Sequence, residues 1–141
     1  MSTEQNKALD RKWAELINAK DLEGALALLS PAVVEHSSRP GMPTGVEGVR
    51  WFFNMQFAAF PDLHATILDQ VAEGDQVVHR LSIEGTNTGM FMGAAPTGKH
   101  AKWTQIDIIR IADGKVVEHW GEGDTMGMMQ QLGLVPPPSA H

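Results

Sequence analysis

Apolar residues change their spacing near Pro61, and the change divides the chain into a helical first part and a stranded second part. Leu9, Trp13, Leu16 and Ile17 mark one face of an otherwise charged segment, which predicts an amphipathic helix over 3–20. Asp21 stands as an N-cap for a second short helix bearing Leu22, Ala25, Leu26 and Leu29, ended by Pro31. Val33 to His36 reads as a short strand, and 37–45, with two prolines and two glycines, reads as a loop. A third helix then carries Val46, Val49, Phe52, Phe53, Phe57 and Phe60. Beyond Pro61 the pattern alternates, predicting strands over 63–73, 76–88, 99–112 and 115–123, with turns at Gly74-Asp75 and Asp113-Gly114. A last short helix over 125–132 has Met126, Met129 and Leu132 on one side and stops at Gly133.

Helices followed by strands joined through tight hairpins predict an antiparallel sheet in an α+β domain over 1–135, with 136–141 a flexible proline-rich tail. Several strands are apolar on both faces, as Val77, Val78, Leu81 and Ile83 and the run 106–111 illustrate. Such a sheet is expected to be covered twice, by the helices on one face and by a second copy of the chain on the other. Charge argues against one class of partner: a chain of net charge -6 is not expected to present the basic face that a nucleic-acid backbone needs. The absence of cysteine removes disulfides, thiolate metal sites and cysteine nucleophiles, and is compatible with a reducing cytoplasm, the expected location. No apolar run approaches the ~20 residues that span a bilayer, and Met1 to Asp10 is not a signal peptide, so no membrane partner is expected.

The chemistry is concentrated between Trp103 and Asp124. Trp103, Gln105, Asp107, Ile109 and Ile111 share one face of a predicted strand, so Asp107 is a carboxylate among apolar neighbours. Such a group must be paired or keep its proton, and acid-base work and an ion pair with Arg80 or Arg110 are both open readings. Asp124 likewise has two: a base in an apolar pocket, or the N-cap of the last helix. His36, His79 and His119 each fall in a predicted strand, and histidine as a residue type can relay protons or hydrogen-bond a carbonyl near neutral pH. No pair among them has metal-ligand spacing, and neither a metal nor an organic cofactor is expected. Trp51, Trp103 and Trp120, with Phe53, Met90 and Phe91, offer stacking area for a hydrophobic ligand.

Three segments carry a family resemblance. They are Gly85-Thr86-Asn87-Thr88-Gly89-x-Phe91-x-Gly93-x-x-Pro96-Thr97-Gly98-Lys99, then Ile106-Asp107-Ile108-x-Arg110-x-x-Asp113-Gly114-Lys115-x-Val117-Glu118-His119-Trp120, and finally Asp124 with Gln131-Leu132-Gly133. Together with the order of elements they resemble the SnoaL-like polyketide cyclases, of the nuclear transport factor two-like superfamily. The resemblance implies a cone-shaped, curved antiparallel sheet with the N-terminal helices on its concave face, enclosing a hydrophobic pocket. It further implies ring closure by intramolecular aldol condensation without a cofactor, an aspartate serving as general acid and base. Asp124 is the best match to that aspartate, with Asp107 as rival and His119 in support. Trp120, Trp103, His36, Trp51, Phe53, Phe91, Met90 and Asn87 are the expected substrate contacts, Asn87 standing where the family pattern often has histidine. The expected ligand is small, hydrophobic and carbonyl-containing or polycyclic. Epoxide-hydrolase-like activation of water in the same pocket, and ligand binding without catalysis, are the alternatives.

Overall fold

In the computed structural model, which describes residues 1–136, five strands form one curled sheet in the order β1-β5-β4-β3-β2. The strands are β1 (Leu29–Glu35), β2 (His64–Glu73), β3 (Gln76–Thr86), β4 (His100–Ala112) and β5 (Lys115–Gly123), and the helices are α1 (Thr3–Asn18), α2 (Leu22–Leu26), α3 (Gly45–Ala59) and α4 (Thr125–Leu132). β2 to β5 pair antiparallel, whereas β1 joins the edge parallel to β5. The expected mixed α+β fold is therefore present, with a sheet that curls without closing. Most of the expected proline-rich tail, 137–141, lies outside the described residues.

Local chemistry accounts for the element ends. Ser2 and Gln5 form a capping box at the start of α1, each side chain bonding the other's backbone N–H. Asp113 and Gly114 both have positive φ, 52° and 74°, the geometry of a two-residue turn whose twist suits flanking antiparallel strands. The largest departure from the sequence expectation lies between α2 and β1. α2 ends at Leu26, and Leu29 opens β1, which runs through Pro31. Proline is tolerated there because β1 is an edge strand whose register with β5 shifts between Leu29 and Val34.

Irregular register also appears between Ile67 and Asp69 in β2 and between Arg110 and Ile111 in the β4–β5 pair. Shifts of this kind bend a strand and increase its twist. α1 and α3 lie on the sheet's inner side, and Asn18 of α1 is fixed to β2 by two 2.8 Å hydrogen bonds with the backbone of Ala65. The buried apolar residues form two clusters instead of one. Leu26, Leu29, Val49, Val77, Ile109 and Ile111 belong to the first; Phe60, Leu63, Phe91, Trp103, Met128 and Leu132 belong to the second. None of the helices among the described residues is long and apolar enough to cross a membrane.

α4 follows β5 directly, and the junction is made by Asp124. Its side chain accepts the Gly127 N–H at 2.9 Å as the N-cap of α4. Asp124→Ala is expected to lower the unfolding free energy by about 1 kcal/mol, the usual worth of such a cap, as measured by urea denaturation.

Candidate active site

Between the two apolar clusters the concave face of the sheet carries a polar belt. His79 on β3 pairs across the ladder with Asp107 on β4, and Asp107 pairs with Gly121 on β5, with His119 two residues before that glycine. Adjacent strands thus bring the three side chains together from distant parts of the chain. Gly121 is required for this arrangement, since a methyl group there would lie 2.5 Å from Asp107 Oδ1 and 3.1 Å from His119 Cε1. The Asp107 carboxylate occupies the space that a side chain on β5 would fill.

Asp107 is clamped between the two imidazoles. His79 donates from Nε2 to Asp107 Oδ2 at 2.6 Å, and His119 donates from Nε2 to Asp107 Oδ1 at 2.8 Å. Gln105 adds a third donor, Nε2 to Oδ1 at 2.8 Å. Each imidazole faces a second carboxylate through its other nitrogen. Asp10 of α1 accepts from His79 Nδ1 at 2.8 and 2.9 Å, and Glu35 of β1 accepts from His119 Nδ1 at 2.8 and 2.6 Å. The outer carboxylates are held in turn: Gln70 Nε2 donates to Asp10, and the Ser37 backbone N–H donates to Glu35, both at 2.8 Å. The result is an alternating series, Asp10–His79–Asp107–His119–Glu35, with contributions from α1, β3, β4, β5 and β1.

Only the imidazolium form donates from both nitrogens to ionised carboxylates, so a carboxylate on each side of the ring favours protonation of both histidines. Burial alone would lower the pKa of each, but hydrogen bonds to Asp10 and Asp107 raise that of His79 to about 9. Hydrogen bonds to Asp107 and Glu35 likewise outweigh burial at His119 and raise it to about 9. Burial alone would raise the Asp107 pKa; the hydrogen bonds from His119 and His79 overcome it and hold the group well below the usual carboxylate range. Charges of the series alternate as three carboxylates and two imidazoliums, leaving one net negative charge.

The belt forms part of the wall of a cavity of about 280 Å³ beneath α1 and α3. Its apolar walls include Trp13, Phe52, Phe53, Leu81, Phe91 and Trp103, and Arg39 contributes a guanidinium stacked 4.6 Å over the Phe52 ring. This volume is at the small end for ligand cavities. Of the residues singled out in the sequence, Asp107, His119, Trp103, Phe53 and Phe91 line it. Five other expected residues do not. His36 and Trp120 stack on each other at 4.5 Å between ring centroids on the convex face, where His36 also pairs with Glu118 at 2.7 Å. Alternation along β5 puts Trp120 opposite in sense to His119, which explains its place. Trp51 lies outside the cavity lining, and Met90 is 57% exposed on the loop after β3. Asn87 is fully buried as a structural tie: its Nδ2 donates to Gly89 O at 2.8 Å and its Oδ1 accepts from Thr97 N at 3.0 Å, closing the 87–99 loop.

Asp124 is the principal correction. It is exposed, lies outside the cavity lining, and spends its carboxylate on the N-terminus of α4. Of the two expected aspartates, Asp107 alone lines the cavity. Asp10, Glu35 and Gln105 join the site without having been among the expected site residues, and His79 joins as one of the three strand histidines singled out in the sequence. One signal for Asp10 was present in the sequence: Asn6, Asp10, Trp13 and Ile17 recur at helical spacing, so the stripe that buries Ile17 also buries Asp10. Among the described residues no set of three or more histidine and carboxylate side chains is arranged to hold a metal ion.

The clamp couples stability to pH. A histidine whose folded pKa stands above its unfolded value near 6.5 stabilises the fold fully below about 6.5 and ceases to do so as pH rises through about 9. Unfolding free energy, followed by tryptophan fluorescence in urea, is thus expected to decline between pH 6.5 and 9, and Asp107→Asn is expected to flatten that decline.

Comparison with known proteins places this geometry in a family. A family model described as SnoaL-like polyketide cyclase matches residues 7–132. The aklanonic acid methyl ester cyclase DnrD of Streptomyces peucetius is 29% identical over 109 residues, which are 77% of this chain and 73% of that protein. AclR of Streptomyces galilaeus, provisionally designated a hydroxylase, has a TM-score of 0.87 at 32% identity, covering 98% of this chain and 87% of its own. IdmH of Streptomyces antibioticus, provisionally designated a polyketide cyclase, has a TM-score of 0.80 at 35% identity, covering 92% and 99%. The chain belongs to the SnoaL-like polyketide cyclase family.

Proposed function

We propose that the protein is a cofactor-independent cyclase or isomerase-type enzyme acting on a small carbonyl-bearing polyketide, with Asp107 as the acid-base group. The observation that carries this reading is the carboxylate itself, 4% exposed in the wall of a largely apolar cavity and fixed between two imidazoliums. A carboxylate has about four lone-pair positions. His119 and Gln105 occupy both on Oδ1 and His79 occupies one on Oδ2, which leaves one on Oδ2 for a substrate proton.

The model reaction is an intramolecular aldol closure. Asp107 takes the proton from a carbon next to a carbonyl, and the C–H electron pair passes into an enolate. The enolate carbon attacks a second carbonyl of the same molecule, forming the C–C bond, and the resulting alkoxide takes the proton back from Asp107. His119, the more open of the two imidazoliums, stabilises the enolate charge from a fixed position. Because the clamp makes Asp107 a weak base, the reacting carbon must be unusually acidic, such as one flanked by two carbonyls. Neutral Asp107 between two cations returns its proton readily, which suits the second half of the cycle.

The relatives include cyclases of aklanonic acid methyl ester, and that compound is the natural first probe. Incubated with it in D₂O, the wild-type protein is expected to exchange the activated C–H for deuterium and to form the ring. Asp107→Asn should lose a factor of roughly 10²–10⁴ in both rates, whereas Asp124→Asn should retain wild-type rates. Full activity in Asp107→Asn would remove Asp107 from the acid-base role, absence of exchange and ring closure in the wild type would favour binding without catalysis, and solvent ¹⁸O in the product would favour water activation.

The convex face supports the proposal that two copies pair through the sheet. Val34, Val71 and Ile106 stand on it at 48%, 65% and 48% exposure. Light scattering at micromolar concentration is expected to give a dimer mass, and Ile106→Glu to give a monomer.

A further inference from the structure

One polar side chain in the cavity takes no part in the carboxylate–imidazole series. Gln56, on α3, lines the cavity beside Phe52, Phe53 and Met55 of the same helix and is 9% exposed. Its Oε1 is buried and accepts no hydrogen bond among the described residues. The contrast with the other buried polar groups is informative: Asp10, His79, Asn87 and Asp107 are all bonded. The one other buried orphan among the described residues, Asn6 Oδ1, belongs to a residue outside this cavity. A buried acceptor without a donor destabilises a fold, and a leucine would occupy similar volume without that cost. The wall near Gln56 on α3 is otherwise apolar, so the amide serves nothing within that wall.

We infer that Gln56 is a specificity-determining residue whose amide binds a hydroxyl group on the apolar body of the ligand. A hydroxyl both donates and accepts, so it pairs with either end of the amide, and the terminal amide torsion turns with little penalty. The cavity then selects hydroxylated aromatic molecules over bare ones. A site built to hydrogen-bond a hydroxyl rejects an analogue lacking it far more strongly than an apolar pocket separates ligands by size. The inference rests on the cavity being a ligand site, and not on the chemistry assigned to Asp107.

The test compares 2-naphthol with the similarly shaped 2-methylnaphthalene, binding each to the full chain by isothermal titration calorimetry. Wild type is expected to bind the naphthol at least about tenfold more tightly, the equivalent of one good hydrogen bond to a buried partner. Gln56→Leu should bind both probes alike, with undiminished affinity for 2-methylnaphthalene, and should have a higher Tm without ligand. Asp107→Asn should keep the naphthol preference, so failure of the proposed catalysis leaves this result separate. A preference that survives in Gln56→Leu overturns the inference, as does a lowered Tm, which would show the amide to be satisfied within the protein. Absence of binding by either probe to the wild type overturns it too.

Discussion

The buried carboxylate of Asp107 imposes a sequence of requirements on the rest of the molecule. A charge taken out of water is tolerated only with opposite charge and hydrogen bonds around it. His79 and His119 supply both, yet one is then a buried and the other a half-buried cation, each with a second N–H to satisfy. Asp10 and Glu35 meet that need, and they come from the first helix and the edge strand. Gln70 and the Ser37 backbone complete the outer carboxylates. One unfavourable burial thus links α1, β1, β3, β4 and β5 into a common polar network, whose members are worth more together than singly.

The network also forms part of the cavity wall. A sheet with apolar residues at positions 79, 107 and 119 would let the two hydrophobic clusters merge beneath the helices. The polar belt stands between them, and residues of α1 and α3 close the cavity over it. Gly121 is the point where backbone and chemistry meet, because Asp107 needs the room that any side chain there would take. Replacing such a network with close-packed apolar residues is often neutral or stabilising, so its retention fits a site more readily than a device for stability.

Much of the fold was legible from periodicity and turn chemistry. The bounds of β5 and α4 follow from the Asp113-Gly114 turn, the alternation after it, and the Gly133 stop, and Asp107 was correctly read as facing inward with Trp103 and Ile109. Facing direction was harder on β5. Trp120 looked like a pocket residue from its nearness in sequence to Asp124, but pairing of Ile108 with Trp120 places the ring on the convex side, and His119 takes the inner one. Asp124 was ambiguous between base and cap because both readings use the same local sequence, and only the direction of α4 decides between them. The partners of Asp107 could not be read off, since Asp10 and His79 are 69 residues apart and meet only through the packing of α1 on β3.

The central claim is that Asp107 holds two imidazoliums at neutral pH. Nitrogen-15 and proton NMR of the histidine rings, followed from pH 6 to 10, tests it directly. His79 and His119 are predicted to stay doubly protonated through neutral pH and to titrate near 9, falling toward the ordinary value of about 6.5 in Asp107→Asn. Titration of both rings near 6.5 in the wild-type protein would contradict the account.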